Sequence, residues 1–275
     1  MKKCSSVFTL VALVIGSAAS GACAQTTKPD IVSGYEGRTY TDAKGDKLSY
    51  RLLKPKDYDA SQKYPVVLLL HGAGERGSDN QRQLQHGGKL FTDEKNREAY
   101  KCFVVVPQVP KDEWWIVRPR KPATTASATA PAATQPEKAP LDCIKLAMEI
   151  VDTLEKEFSI DKDRQYVMGL SMGGYGTWQA LARWPERFAA AVPICGGGDP
   201  KTVERFKHVP IWAWHGAKDN TVKVEQTRVM IEALKKVGGE PKYTELPEAG
   251  HNAWNPAFGE PQLLPWMFGQ KRVAK

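Results

Sequence analysis

Five short runs of nearly unbroken apolar residues constrain this chain more than any other feature: Val66–Leu70, Cys102–Val106, Tyr166–Gly169, Ala189–Ile194 and Ile211–Trp214. None alternates with polar residues, so none reads as a strand with one wet face. Runs of this kind suit parallel strands covered on both sides. Tyr243–Leu246 is a weaker last run, and upstream Gly37–Thr41 and Leu48–Leu53 flank Asp42-Ala43-Lys44-Gly45-Asp46, which reads as a hairpin turn. Helical patterns lie between the runs. Ile144, Met148, Val151, Leu154 and Phe158 share one stripe with Asp142 as N-cap. Thr177–Arg183 suits a helix ended by Trp184-Pro185, and Glu225–Val237 suits one ended by Gly238-Gly239. A hairpin followed by strand–helix alternation predicts an open, mostly parallel α/β sheet of eight strands with helices on both faces. Ligands in such sheets bind beyond the C-terminal ends of the strands.

A chain of 275 residues with 41% hydrophobic composition can build one large domain. The net charge is +8, or +6 without the first 24 residues, which hold Lys2 and Lys3 and no acid. The basic residues are scattered, which argues against a nucleic-acid partner. Lys2-Lys3, the apolar stretch Val7–Ile15 and the A-x-A site Ala22-Cys23-Ala24 read as a signal peptide over residues 1–24. This predicts export, periplasmic or extracellular, and a single domain over residues 25–275. A lipoprotein anchored through Cys23 is disfavoured by Ser20, and no later stretch suits a transmembrane helix. Cys102, Cys143 and Cys195 remain in the mature chain, enough for one disulfide of unspecified pairing. With no C-x-x-C and no H-E-x-x-H, neither a metal nor a cofactor is expected. Pro119 to Pro140, rich in Ala, Thr and Pro without periodicity, reads as a disordered insert, either a flap over the site or an inert insertion.

Gly169-Leu170-Ser171-Met172-Gly173 follows the apolar run directly. A serine hydroxyl becomes a nucleophile only with exposure, a base and a place for negative charge. A glycine-flanked strand-to-helix turn supplies the exposure, and the helix N-terminus supplies N–H groups. The pattern alone is weak, with roughly 0.1 chance matches in a chain this long. Its context strengthens it. Asp219 lies just past Ile211–Trp214, in His215-Gly216-Ala217-Lys218-Asp219, and His251 lies past the last strand, in Ala249-Gly250-His251-Asn252. Nucleophile, acid and base therefore come in the order Ser, Asp, His, each after a strand. The oxyanion needs two N–H donors. Met172 is one, and the loop His71-Gly72-Ala73-Gly74-Glu75-Arg76-Gly77 offers Ala73 first and Gly74 second.

The segments L-L-L-H-G-A-G-E-R-G-S-D-N, G-L-S-M-G-G-Y-G-T-W, H-G-A-K-D and G-H-N-A-W together resemble the α/β-hydrolase superfamily. The nearest resemblance is to secreted polyhydroxybutyrate depolymerase-like and carbohydrate esterases, the feruloyl and acetylxylan esterases among them. Phospholipase/carboxylesterases and prolyl-oligopeptidase-type predicted peptidases are related. The resemblance runs from about Gly37 to Phe268. It implies an α/β-hydrolase fold, Ser171, Asp219 and His251 as a triad, and Ala73 and Met172 as the oxyanion hole. The expected activity is hydrolysis of carboxylic esters through an acyl-enzyme, on small-molecule or polysaccharide-bound esters. A serine peptidase is the alternative, and a non-catalytic binding module the third reading.

Other signals carry competing readings. Gly72-x-Gly74-x-x-Gly77 matches the dinucleotide fingerprint, yet the polar stretch Glu75–Gln83 cannot open a packed helix. Asp199 is the reserve acid. Cys195 stands at a strand end and reads as packing or a disulfide partner. His71 and His215 precede glycines at strand ends and brace loops, while His86 and His208 have no assigned role. Trp212 and Trp214 share a strand face and read as core, whereas Trp114, Trp115 and Trp254 are candidates to line a substrate pocket.

Overall fold

The computed structural model describes Met1 and residues 30–117 and 139–272. The signal peptide, its cleavage site near Ala24 and Cys23 lie outside the described residues, as does the 119–140 insert apart from Ala139 and Pro140.

The elements run β1 (Ile31–Val32), β2 (Tyr35–Thr41), β3 (Lys47–Leu53), β4 (Tyr64–Leu70), α1 (Gly88–Thr92), α2 (Glu94–Ala99), β5 (Phe103–Gln108) and α3 (Cys143–Glu157). They continue β6 (Ile160–Leu170), α4 (Met172–Arg183), β7 (Ala190–Ile194), β8 (Trp212–Gly216), α5 (Glu225–Lys236), β9 (Lys242–Leu246), α6 (Trp254–Gly259) and α7 (Leu263–Phe268). All eight expected strands are present. The ninth, β1, is a two-residue edge strand paired antiparallel with β2. The sheet order is β1-β2-β3-β5-β4-β6-β7-β8-β9. β2 and β3 form the hairpin, β3 pairs antiparallel with β5, and every pair from β5 onward is parallel. This is the mixed sheet with an antiparallel N-terminal edge expected of the α/β-hydrolase fold.

The unbroken apolar runs have their reason in two cores. On β4, Val66, Leu68 and Leu70 enter one core and Val67 and Leu69 the other; on β5, Phe103 and Val105 oppose Val104 and Val106. α3, α4 and α5 cover the first face with Ile144, Met148, Trp178, Leu181, Met230 and Ile231. α6 and α7 cover the second with Ala257, Leu263 and Met267, joined by Trp212 and Trp214, whose rings stack at 5.1 Å. A polar residue at any inward position of the central strands would be buried without water, so both sides must be apolar. Asp142 caps α3 as expected, its carboxylate accepting the Lys145 N–H at 3.1 Å.

The cysteines depart from expectation. Cys102, Cys143 and Cys195 are all buried and unbridged. Cys143 packs on one face of the sheet and the other two on the opposite face, where Cys102 precedes β5 and Cys195 follows β7, two strands separated in the sheet by β4 and β6. Burial pushes the Cys102 and Cys195 thiols up to about 12, so they behave as small apolar residues.

Candidate active site

Ser171 forms the turn between β6 and α4, with φ 53° and ψ −114°. A non-glycine residue holds such a backbone only where its surroundings enforce it. The Ser171 N–H donates to Ile194 O at 2.8 Å, and the Tyr175 N–H donates to Ser171 O at 3.2 Å. The flanking glycines are steric requirements. A Cβ on Gly169 would lie 2.4 Å from Gly173 O, and one on Gly173 would lie 2.0 Å from Leu70 O. Strand, turn and helix therefore close on β4 only with glycine at both places. Ser171 stays partly exposed, and Met172, the first residue of α4, has no acceptor for its N–H inside the helix.

Parallel register brings the other groups to the same edge. β4, β6, β7, β8 and β9 are paired so that Leu70 aligns with Gly169, Ile194 with Leu170 and Trp214, and Gly216 with Leu246. The loops after these strands thus share one rim. His251 Nε2 lies 2.8 Å from Ser171 Oγ, and His251 Nδ1 lies 2.7 Å from Asp219 Oδ2. The carboxylate can only accept, so the network assigns the ring proton to Nδ1 and leaves Nε2 to accept from the serine hydroxyl.

The Asp219 side chain is completely buried. Its Oδ1 accepts the Thr221 and Val222 N–H groups, each at 2.9 Å. Burial alone would raise its pKa. The hydrogen bonds from His251 and from these two backbone groups outweigh that and hold the carboxyl below its ordinary range. Oδ1 shapes a turn while Oδ2 faces the imidazole, so the same side chain serves both ends. Asp199 does not join this group. It is exposed, and its side chain caps the 3₁₀ turn Pro200–Phe206.

Cys195, His215 and Asp219 offer Sγ, nitrogen and oxygen atoms within 4.8 Å of one another. A metal there would have to displace existing partners, because His215 Nδ1 meets Thr227 Oγ at 2.7 Å and Nε2 meets Val222 O at 2.9 Å. The spacing follows from crowding around the acid.

Of the oxyanion candidates, Met172 follows the serine directly and Ala73 follows Gly72. A Cβ on Gly72 would be 2.9 Å from Leu170 Cδ1 and 3.6 Å from Ser171 Cβ, so the residue before Ala73 stands beside the serine. Ala73–Glu75 is a 3₁₀ turn and the next α-helix begins only at Gly88, so the glycine loop does not open a helix as the dinucleotide reading requires. His71 braces this loop: its Nδ1 lies 2.6 Å from Gly72 O, and its Nε2 accepts the Val109 N–H at 3.0 Å.

The three tryptophans separate. Trp115 is fully buried, and its indole N–H donates to His71 O at 2.9 Å, so it supports the loop from within and does not line a pocket. Its strand-proximal position explains the error, since the chain turns inward there beneath Gly176, where a Cβ would meet the Trp115 Cβ at 2.9 Å. Trp254 is partly exposed and stands edge-on to His251 at 5.3 Å. Trp114 is partly exposed and carries the Arg76 guanidinium over its ring at 5.0 Å. Residue-level reading missed His86, whose ring packs on Trp254 at 5.5 Å and whose Nε2 lies 3.8 Å from Glu75 Oε1. It also missed the contact of His215 with Asp219. The spacing His215-Gly216-Ala217-Lys218-Asp219 was its only signal.

Comparison with known proteins bears on the family and the fold. The family profile described as "Putative esterase" matches residues 41–257. A solved structure titled as a thermostable esterase superposes with a TM-score of 0.77 at 37% identity, covering 88% of this chain and 64% of that one. An "Uncharacterized secreted protein" of Arthroderma benhamiae is 26% identical over 246 residues, 76% of this chain and 24% of its own. A bifunctional acetylxylan esterase/xylanase of Neocallimastix patriciarum is 33% identical over 84 residues, 30% of this chain and 12% of its own. The chain thus spans a quarter or less of the length of these curated relatives. With the profile running from β2 to α6 and the esterase fold covering nearly the whole described chain, this protein belongs to that esterase family, a family of hydrolases.

Proposed function

We propose that the chain is an exported serine hydrolase that cleaves carboxylic esters through an acyl-enzyme. The observation that carries this reading is the hydrogen-bonded series Ser171 Oγ, His251 Nε2, His251 Nδ1 and Asp219 Oδ2, at 2.8 and 2.7 Å, with the serine on a strained turn. His251 takes the hydroxyl proton as Ser171 attacks the ester carbonyl. Asp219, ionised and buried, stabilises the imidazolium and keeps its orientation. The N–H groups of Met172 and Ala73 receive the oxyanion. The alcohol departs with the proton from His251, and water attacks the acyl-enzyme with His251 again as base. Acylated polysaccharide is the substrate class most consistent with an acetylxylan esterase among the relatives, and export follows from the N-terminal pattern together with a secreted relative.

The test is a panel on one preparation: p-nitrophenyl acetate and butyrate, methyl ferulate, acetylated xylan and a peptide anilide. Ser171→Ala is expected to lower ester turnover by at least ~10³-fold with the fold intact by circular dichroism. Retention of most activity would remove Ser171 as nucleophile, and amide turnover well above ester turnover would make the protein a peptidase.

A further inference from the structure

Beside the serine loop lies an open cleft of about 590 Å³ whose lining includes Ala73, Arg76, Asp79, Arg82 and Lys111. It begins at Ala73, one residue from Gly72, which stands against Ser171. Three cations and one carboxylate face it. The carboxylate is already engaged: Asp79 Oδ1 accepts the Gln81 and Arg82 N–H groups at 2.8 and 2.9 Å and Gln108 Nε2 at 3.1 Å, and Oδ2 pairs with Arg82 Nε at 3.2 Å. Two neighbouring acids turn elsewhere. Glu75 is buried toward Gly72 and His86, and Glu113 Oε2 accepts the Leu141 N–H at 3.2 Å.

Arg76 is the organising group. Its Nε donates to Ala73 O at 2.9 Å, its Nη1 reaches Glu113 O at 3.4 Å, and its Cζ lies over the Trp114 ring at 5.0 Å. These partners are carbonyls and an aromatic face. They hold the guanidinium in place without neutralising it, and among the described residues no carboxylate pairs with it. Nε and one hydrogen of Nη1 are engaged, and among the described residues Nη2 has no hydrogen-bond partner, so Nη1 and Nη2 remain to bind a carboxylate end-on with two parallel hydrogen bonds. Lys111 lines the same cleft and, among the described residues, no carboxylate pairs with it.

We propose that this cleft is a carboxylate subsite, so that the preferred esters carry an anionic group a few bonds from the scissile carbonyl. The inference rests on the ester-hydrolase reading above and extends it to substrate class. A uronic-acid residue on a polysaccharide and the free carboxylate of a dicarboxylic monoester present the same chemistry, on the alcohol and the acyl side respectively. The cleft's contact with the oxyanion loop orients the anion toward the attacked carbonyl, and the bound carboxylate adds positioning to the electrostatic attraction.

The experiment compares matched pairs that differ only in charge. For the alcohol side these are 4-carboxyphenyl acetate and 4-carbamoylphenyl acetate; for the acyl side, monomethyl glutarate and methyl glutaramate. Each pair is assayed on the wild type and on the double variant Arg82→Gln/Lys111→Gln, which leaves Arg76 and its hold on Ala73 in place. Taking the carboxylate-to-amide ratio of kcat/KM cancels the intrinsic reactivity of each ester. The ratio for at least one pair is expected to fall about fivefold in the variant, as loss of two cations facing an anion predicts. The pair that responds identifies the side that carries the charge. A ratio unchanged within about twofold for both pairs overturns the subsite. If the variant loses turnover on all four esters, the wild-type ratio decides: a fall between about 20 and about 500 mM NaCl supports the subsite, and parallel curves overturn it. Failure of the wild type to hydrolyse any of the four esters, with or without charge, would instead strike the ester-hydrolase reading itself.

Discussion

His215 Nε2 lies 3.3 Å from Asp219 Oδ2, the oxygen that also faces His251 Nδ1 at 2.7 Å. Burial pushes the His215 pKa below the ordinary histidine range, so the ring is neutral at neutral pH. A neutral ring has one N–H. Val222 O and Asp219 Oδ2 both face Nε2 and can only accept, so the proton belongs there, and the Thr227 hydroxyl, 2.7 Å from both Nδ1 and Gly196 O, turns its single proton to Nδ1. Asp219 Oδ2 thus has the polarised His215 Nε2–H, bonded to Val222 O at 2.9 Å, within 3.3 Å of it, on the strand that precedes its own loop. His215→Gln is expected to lower kcat about tenfold with little change in KM and to cost about 1–3 kcal/mol of stability, since it leaves buried acceptors poorly paired. Ester kinetics and urea unfolding read the two effects. An unchanged kcat would mean that His215 only braces the loop.

Gly173→Ala tests the packing of the serine turn. The added methyl would lie 2.0 Å from Leu70 O and 2.8 Å from His71 O. Backbone stands in its way, and no side chain can rotate aside. A loss of at least ~3 kcal/mol, seen as a fall in Tm of about 10 °C or as insoluble protein, is expected. Gly259→Ala, where nothing lies within 4 Å of the new methyl, is the control and should change Tm by no more than about 2 °C.

His71 gives the acid limb of the stability profile a defined contribution. Burial pushes it down from 6.5 to about 4, and its Nε2 must stay unprotonated to accept the Val109 N–H. The unfolded chain therefore binds a proton that the folded chain refuses. The contribution is complete above about pH 6.5 and is lost as pH falls toward about 4, by up to about 3 kcal/mol. His71→Gln should be less stable at neutral pH and should lose less on acidification. Urea unfolding at several values across that window measures it, and parallel acid limbs for both proteins would contradict the assignment.

Trp254 stands edge-on to His251 and against His86. As a partly exposed indole beside the proposed base, it offers an aromatic acyl group a flat surface. Trp254→Ala should raise KM for methyl ferulate about fivefold or more and leave KM for p-nitrophenyl acetate within about twofold. Equal effects on both would assign the ring to holding His251 rather than to the substrate.

Much of the architecture was legible because backbone demands are local. Each of the eight expected strands exists, since a run such as Val66–Leu70 cannot be satisfied except between two apolar layers. The Gly169–Gly173 turn was legible because its glycines answer contacts within a few ångströms of their own backbone. What was not legible depends on chain segments distant in sequence. Trp115 looked like a pocket residue by its place after a strand and is core, because the chain folds it under Gly176 and His71. The cysteines looked able to pair and are held apart, on different faces of the sheet or at the ends of strands that are not neighbours.

By itself, then, the order of residues determined the doubly covered sheet, the glycine turn around Ser171 and the chain order of serine, aspartate and histidine, because periodicity and steric allowance act over a few residues. Only the tertiary structure decided that Ser171 Oγ and Asp219 Oδ2 meet the two nitrogens of one His251 ring, and that Arg76 is pinned over Trp114 at the edge of a basic cleft. Those relationships join residues 80, 32 and 38 positions apart along the chain. No local pattern encodes such a distance. It follows from the parallel register of the strands, which sets every loop of the site on one rim.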